Sequence, residues 1–320
     1  MRKTARLALL GLLPPLLAAC GSIPGLGSAP AGPPGPPAEV LVRVEKALAA
    51  NDPEGAWRWL DTLDEETLQA ENLEKFLFYQ ACAYYRQNAH WDSFKKLREL
   101  SSRFPVTRYA SRIAWMEFQI GRSLLDARGG FLGLLSYRSY GLQVLRHLTI
   151  TWPDQTEPGR PKNIIADDAL ALLAELKWGE REWQDAIDRY SQLVTNYSGS
   201  EWATLAYFRI AMSWYNLIEG IPYDLEVMRT AERELRQLLD AGKGMPAQKE
   251  EAAQALAVVR EMLAARSLQT ARYYMTLESP PGVVLHLREA IEGYPGTAAA
   301  GHARRALPLW KRRAAAEKAR

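Results

Sequence analysis

Cysteine and histidine are scarce in this chain, and their scarcity narrows the chemistry open to it. Two cysteines and four histidines in 320 residues supply neither a disulfide framework nor a histidine-rich metal site. His90, His147, His286 and His302 stand on separate segments, and none belongs to an HExxH pair. A GxSxG elbow and a phosphate-binding glycine loop are both missing. So are convincing runs of alternating β-branched residues bounded by turns, which argues against a sheet-based fold. Carboxylate pairs do occur, at Asp167-Asp168, Glu180-Glu182 and Asp185-Asp188. On amphipathic helices such pairs describe a solvated face. The expectation is a non-enzyme with no metal, no cofactor and no small-molecule substrate.

Net basic charge is small, and its source is local. The chain has 40 Lys+Arg against 37 Asp+Glu. Three of the bases, Arg2, Lys3 and Arg6, precede the apolar run 7–19, which ends in Leu17-Ala18-Ala19-Cys20. A charged start, a short apolar run and small residues at a cut site describe a secretory signal. The run is too short for an ordinary membrane-spanning helix. With a cysteine directly after the small residues, the segment resembles the bacterial lipoprotein lipobox. That resemblance implies a signal peptide over 1–19 and a lipidated Cys20 (palmitate among its acyl chains), tethering the chain without spanning the bilayer. Gly21-Ser22 lacks the aspartate of an inner-membrane retention signal, so the expected location is the periplasmic face of the outer membrane. Residues 20–37 are nearly all Gly, Pro, Ala and Ser, an extended spacer. Without the signal, 37 residues of each sign remain, and nothing favours a nucleic-acid partner. Cys82 is then left without an intramolecular partner and reads as a small apolar residue on a helix.

From residue 38 the chain reads as helix after helix, broken by short polar or Pro/Gly stretches. Three helices end in an aromatic followed by proline: Phe104-Pro105, Trp152-Pro153 and Tyr294-Pro295. A fourth, Tyr197-Ser198, keeps the aromatic alone. Trp183, Ala186, Ile187, Tyr190, Leu193 and Tyr197 make one apolar helical stripe. Ala174 stands twelve residues before Ala186, so small residues let two antiparallel helices approach. The same register holds Ala81, Tyr84, Ser93, Leu97, Leu100 and Pro105, and again Ala271, Tyr274, Val283, Leu287, Ala290 and Pro295. Ala56, Leu60 and Leu63 suggest a shorter first unit. Gly141, Leu145, Leu148 and Pro153 match only a second helix, with an irregular insertion around Gly129 before it. Thr107 and Ser200 are expected N-caps.

This order of features is similar to the tetratricopeptide repeat, whose unit is about 34 residues. The expected fold is all-α, a TPR-like α-solenoid of roughly five to six antiparallel helix pairs. It divides into N-terminal repeats over 38–162 and C-terminal repeats over 163–320, closed by a basic capping helix. That helix carries Arg304, Arg305, Lys311, Arg312, Arg313, Lys318 and Arg320. It reads as solvated, with contact to an acidic partner or anionic head groups as the alternative.

A closer resemblance covers roughly 165–303. Residues 263–274 followed by 289–297 look like the last repeat of the BamD family, TPR lipoproteins of the outer-membrane β-barrel assembly machinery. Residues 183–197, 199–203 and Ala206-Tyr207 resemble that family's inner repeats, and 221–224 its linker. The stretch 38–161 is longer than the family would place before that core, and the Tyr-Pro ending is missing at Ser198 and near Ala241-Gly242. The resemblance implies a non-enzymatic, outer-membrane-anchored scaffold in β-barrel protein assembly, with envelope proteins as partners. The alternatives are a TPR adaptor for cell-wall synthesis or polysaccharide export, and an envelope enzyme built on residues 129–161. Transferred to this chain, the TPR frame points Lys75, Phe78, Cys82, Tyr85 and Arg86 into a partner-binding groove. It does the same for Asp168, Ala171, Glu175 and Trp178, and for Leu268, Arg272 and Met275. Mixed aromatic and charged groups suit capture of side chains and carboxylates.

Overall fold

The computed structural model describes residues 35–127, 137–221 and 224–319, and helices fill most of them. Cys20, the signal and the irregular stretch 128–136 lie outside the described residues. Four turns between consecutive helices share one backbone geometry. Asn51, Asn88, Arg181 and Glu278 have φ of 57°, 58°, 61° and 48°, each two residues before the next helix. One residue further on, the N–H of Asp52, Ala89, Glu182 and Ser279 donates to the carbonyl five back, at 2.9, 3.0, 3.0 and 3.1 Å. A left-handed residue with that bond closes a helix by satisfying its last carbonyls. One turn, used four times, is the backbone signature of a repeat.

The helices form six consecutive pairs, and these turns join the first, second, fourth and sixth. The pairs are α1 (Pro37–Ala49) with α2 (Pro53–Leu60), α3 (Ala70–Arg86) with α4 (His90–Arg103), and α5 (Ala110–Asp126) with α6 (Tyr137–Thr151). Then come α7 (Ile165–Gly179) with α8 (Trp183–Asn196), α9 (Ala203–Asn216) with α10 (Leu225–Asp240), and α11 (Pro246–Thr276) with α12 (Pro280–Gly293). A final helix, α13 (Ala298–Lys318), caps the array. The described residues thus form an all-α solenoid of six pairs and a cap. Helix α11, at 31 residues, is the longest. Its first half packs with α9 and α10 through Ala252, Ala255 and Val259, and Ala271 near its end packs with α12 and α13.

The small-residue positions lie where the pairs cross. Ala81 and Ser93, Ala174 and Ala186, and Ala271 and Val283 are fully buried, and Ser93 Oγ donates to the Ala81 carbonyl at 2.8 Å. Val44 and Ala56 repeat the spacing in the first pair and are buried too. Phe104, Tyr197 and Tyr294 occupy the C-caps of α4, α8 and α12. Tyr197 then donates its hydroxyl to the Pro153 carbonyl at 2.9 Å, joining the ends of the third and fourth pairs.

Two local expectations are corrected. Part of the irregular insertion is a small antiparallel hairpin: β1 (Thr156–Glu157) pairs with β2 (Arg160–Ile164). Gly159, at φ 83°, makes the turn. With a strand of two residues, no alternation could be read from the sequence. Thr107 and Ser200 are not N-caps either. Each accepts from the N–H two residues on, Tyr109 at 3.2 Å and Trp202 at 3.1 Å. They shape the entry turn, while the caps are Tyr109 and Trp202.

Candidate partner-binding site

The first helices of successive pairs lie side by side and line one face. On it, Leu48 of α1, Phe78, Cys82, Tyr85 and Arg86 of α3, and Arg112 and Trp115 of α5 surround a depression of about 360 Å³. Phe78 is buried and stacks on Tyr109, centroids 4.1 Å apart, so it forms the floor. Arg86 donates from Nη1 to Asn51 Oδ1 at 2.9 Å. Cys82 Sγ lies 3.9 Å from Met116 Sδ, and burial pushes its thiol up to about 12. A thiol held protonated is a poor nucleophile. Burial also raises Tyr85. Arg112 is exposed and has no ion-pair partner among the described residues.

A second depression follows along the same face. It is lined by Phe118 and Arg122 of α5, Asp168, Ala171 and Glu175 of α7, and Trp202. Trp202 donates its indole N–H to Asp168 Oδ1 at 2.7 Å. Glu175 accepts from Arg209 Nε and Nη2 at 3.0 and 3.2 Å, and from the Tyr190 hydroxyl. Burial, then the bond to Glu175, pushes Tyr190 well above its usual value. Glu175 is therefore a strut between α7, α8 and α9 with its oxygens occupied. Arg122 lies over the Phe118 ring at 5.6 Å and forms no ion pair among the described residues.

The remaining sequence-predicted residues fall elsewhere. Lys75 is spent on Glu71 at 3.2 Å. Trp178 packs between the fourth and fifth pairs, edge-on to Trp183 and beneath Arg209 at 4.3 Å. Leu268 and Met275 pack towards α12 and α13, and Arg272 is exposed on α11. The frame thus brings together Phe78, Cys82, Tyr85 and Arg86, and next to them Asp168, Ala171 and Glu175. It missed Arg112, Trp115, Phe118 and Arg122. Their spacing of three and four residues marks one face of α5, but the insertion after α5 left that helix without a repeat register.

Arg160, Lys162 and Asn163 of the hairpin, with Glu201 of the turn before α9, line a surface depression. Asn163 Nδ2 is spent on Glu157 at 3.0 Å. Among the described residues no helix is long and apolar enough to cross a membrane, and no cluster of His, Cys, Asp and Glu could hold a metal.

Repeated left-handed turns, small-residue crossings and aromatic helix ends define this class: a tetratricopeptide-repeat solenoid, an architecture for holding other proteins. Residues 173–313 match the family described as YfiO, outer membrane lipoprotein. Over that stretch, from α7 to α13, the chain is a BamD-like tetratricopeptide-repeat protein, and the first three pairs lie outside the match. Among curated proteins, none matches. Among solved structures, a tetratricopeptide repeat protein from Parabacteroides merdae shares 12% identity at a TM-score of 0.34, covering 86% of this chain and 98% of that one. The TPR domain of P58(IPK) shares 13% at 0.27, covering 89% and 67%. Scores this low add nothing to what the helix pairs themselves show.

Proposed function

We propose that this chain is a lipid-anchored scaffold at the periplasmic face of the outer membrane, acting in β-barrel protein assembly. The observation that carries this reading is the match of residues 173–313 to an outer membrane lipoprotein family. In this reading residues 1–19 are removed, Cys20 carries the lipid, and residues 20–37 hold the solenoid off the membrane. The face of α3, α5 and α7 takes an extended segment of a partner. Tyr85, Trp115 and Phe118 offer aromatic surface, and the guanidinium groups of Arg112 and Arg122 meet its carboxylates. The scaffold performs no chemistry of its own.

The test is capture from detergent-solubilised envelope. A barrel-assembly protein should be recovered with the chain, and Arg112→Glu with Arg122→Glu should weaken capture while helical content stays intact. Recovery of cell-wall or export proteins alone would sink the barrel-assembly role and favour a TPR adaptor for another envelope system. That second reading draws support from the three N-terminal pairs, which the family match does not cover. Replacing Cys20 with Ser should release the protein from membranes; a variant still in the membrane fraction contradicts the anchor.

A further inference from the structure

The last helix of this solenoid carries a dense group of bases. Helix α13 carries six Lys and Arg against one acid, Glu317. Several bases earlier in the chain are neutralised within the fold: Lys177 by Glu182 and Asp185, Arg103 by Glu65 and Glu99, Arg209 by Glu175. On α13 none of the six forms an ion pair with a described residue. Two acids on the helices packed against α13 are occupied: Glu261 accepts from the N–H groups of Ala298 and Ala299 at 2.8 and 2.9 Å, and Glu289 bonds His286 at 2.9 Å. The net charge after the signal is balanced, so this is a local concentration and not a property of the whole chain.

Helical periodicity sorts α13 into two faces. Ala299, Ala300 and Ala303 are buried, and Leu307 and Trp310 continue that face against α11 and α12. Opposite them stand Arg304, Arg305, Lys311 and Arg312, all exposed. Leu309 lies among them, 48% exposed. The outer strip presents several cations and one exposed apolar side chain, Leu309, on a single helix face, which fits a sheet of phosphates over a shallow apolar layer.

We propose that the outer face of α13 docks on an anionic lipid surface. The contact is independent of Cys20, because the bases act through their own charge. It gives the solenoid a second membrane contact at the end opposite its N-terminal helix pair in chain order.

The experiment uses the chain from residue 21 onward, which holds every described residue and neither signal nor lipid. It is sedimented with phosphatidylcholine vesicles with or without phosphatidylglycerol. Binding is expected only with phosphatidylglycerol, falling as salt rises. Reversal at Arg304, Arg305, Lys311 and Arg312 to Glu should lower partition about tenfold or more. Lysine at the three arginine positions should preserve it, since headgroups read charge and not a guanidinium fork. Circular dichroism checks that the variants fold, and a Gln set at the same four positions serves if the Glu set does not. Equal sedimentation of wild type and charge-removed chain, or no preference for phosphatidylglycerol, overturns the proposal. Retention on polyglutamate without vesicle binding also overturns it and assigns the face to an acidic protein.

Discussion

A Cβ placed on Gly141 would stand 2.9 Å from the carbonyl oxygen of Gly121; α5 and α6 cross with their backbones almost touching. The obstacle is main chain and cannot swing aside. Gly141→Ala should therefore lower stability by about 1–3 kcal/mol, the usual cost of overpacking. Gly179, with open space where its Cβ would go, is the control, and Gly179→Ala should cost nothing. Urea midpoints of the two variants check the contrast.

Arg181 holds a left-handed φ of 61° on an exposed turn. An L side chain there is strained by about 1–2 kcal/mol, while glycine loses roughly 0.4–1 kcal/mol through its freer unfolded chain. The balance favours Arg181→Gly by about 0.5–1 kcal/mol. A lowered urea midpoint would contradict the shared-turn account.

Glu117 is fully buried between α5 and α6, with Oε2 3.0 Å from His147 Nδ1. Burial raises its carboxyl above the ordinary value of 4.5, and the bond to His147 acts against that. The folded chain thus holds this proton more tightly than the unfolded one. The stability it contributes is full below about 4.5 and is lost as pH rises through the raised value. Glu117→Gln escapes that loss, so its stability relative to wild type should improve from acid towards neutral pH. Denaturation across that range reads the difference, and a flat difference would mean the carboxyl is not raised.

Cys82, pushed up to about 12 by burial, should resist alkylation in the native chain near pH 8. Iodoacetamide labelling should become rapid only in denaturant. Fast native labelling would mean that the depression beside Trp115 opens readily.

Much of the fold was legible because it is periodic. Ala174 and Ala186, like Ala81 and Ser93, announce a close crossing by spacing alone. Tyr197 and Tyr294 mark helix ends because an aromatic there seals the stack. The groove was legible only in part. Phe78, Cys82, Tyr85 and Arg86 share a face of α3, and that face is the lining. Trp178 has the same register on α7 but is covered by Arg209 from the next pair. Helix α5 stayed unread, since its close contact with α6 is made by Gly121 and Gly141, twenty residues apart in sequence where four of the other pairs keep twelve.

Sequence by itself determined the helix pairs, their register and the expected address at Cys20, because these depend on local spacing and composition. Tertiary structure alone decided which charges are spent and which are free. Glu175 became a strut because Tyr190 and Arg209 reach it from two other helices, while Arg112 and the outer bases of α13 found no carboxylate. Pairing across helices depends on how successive pairs stack, and no spacing along one helix reports what the next one brings to it.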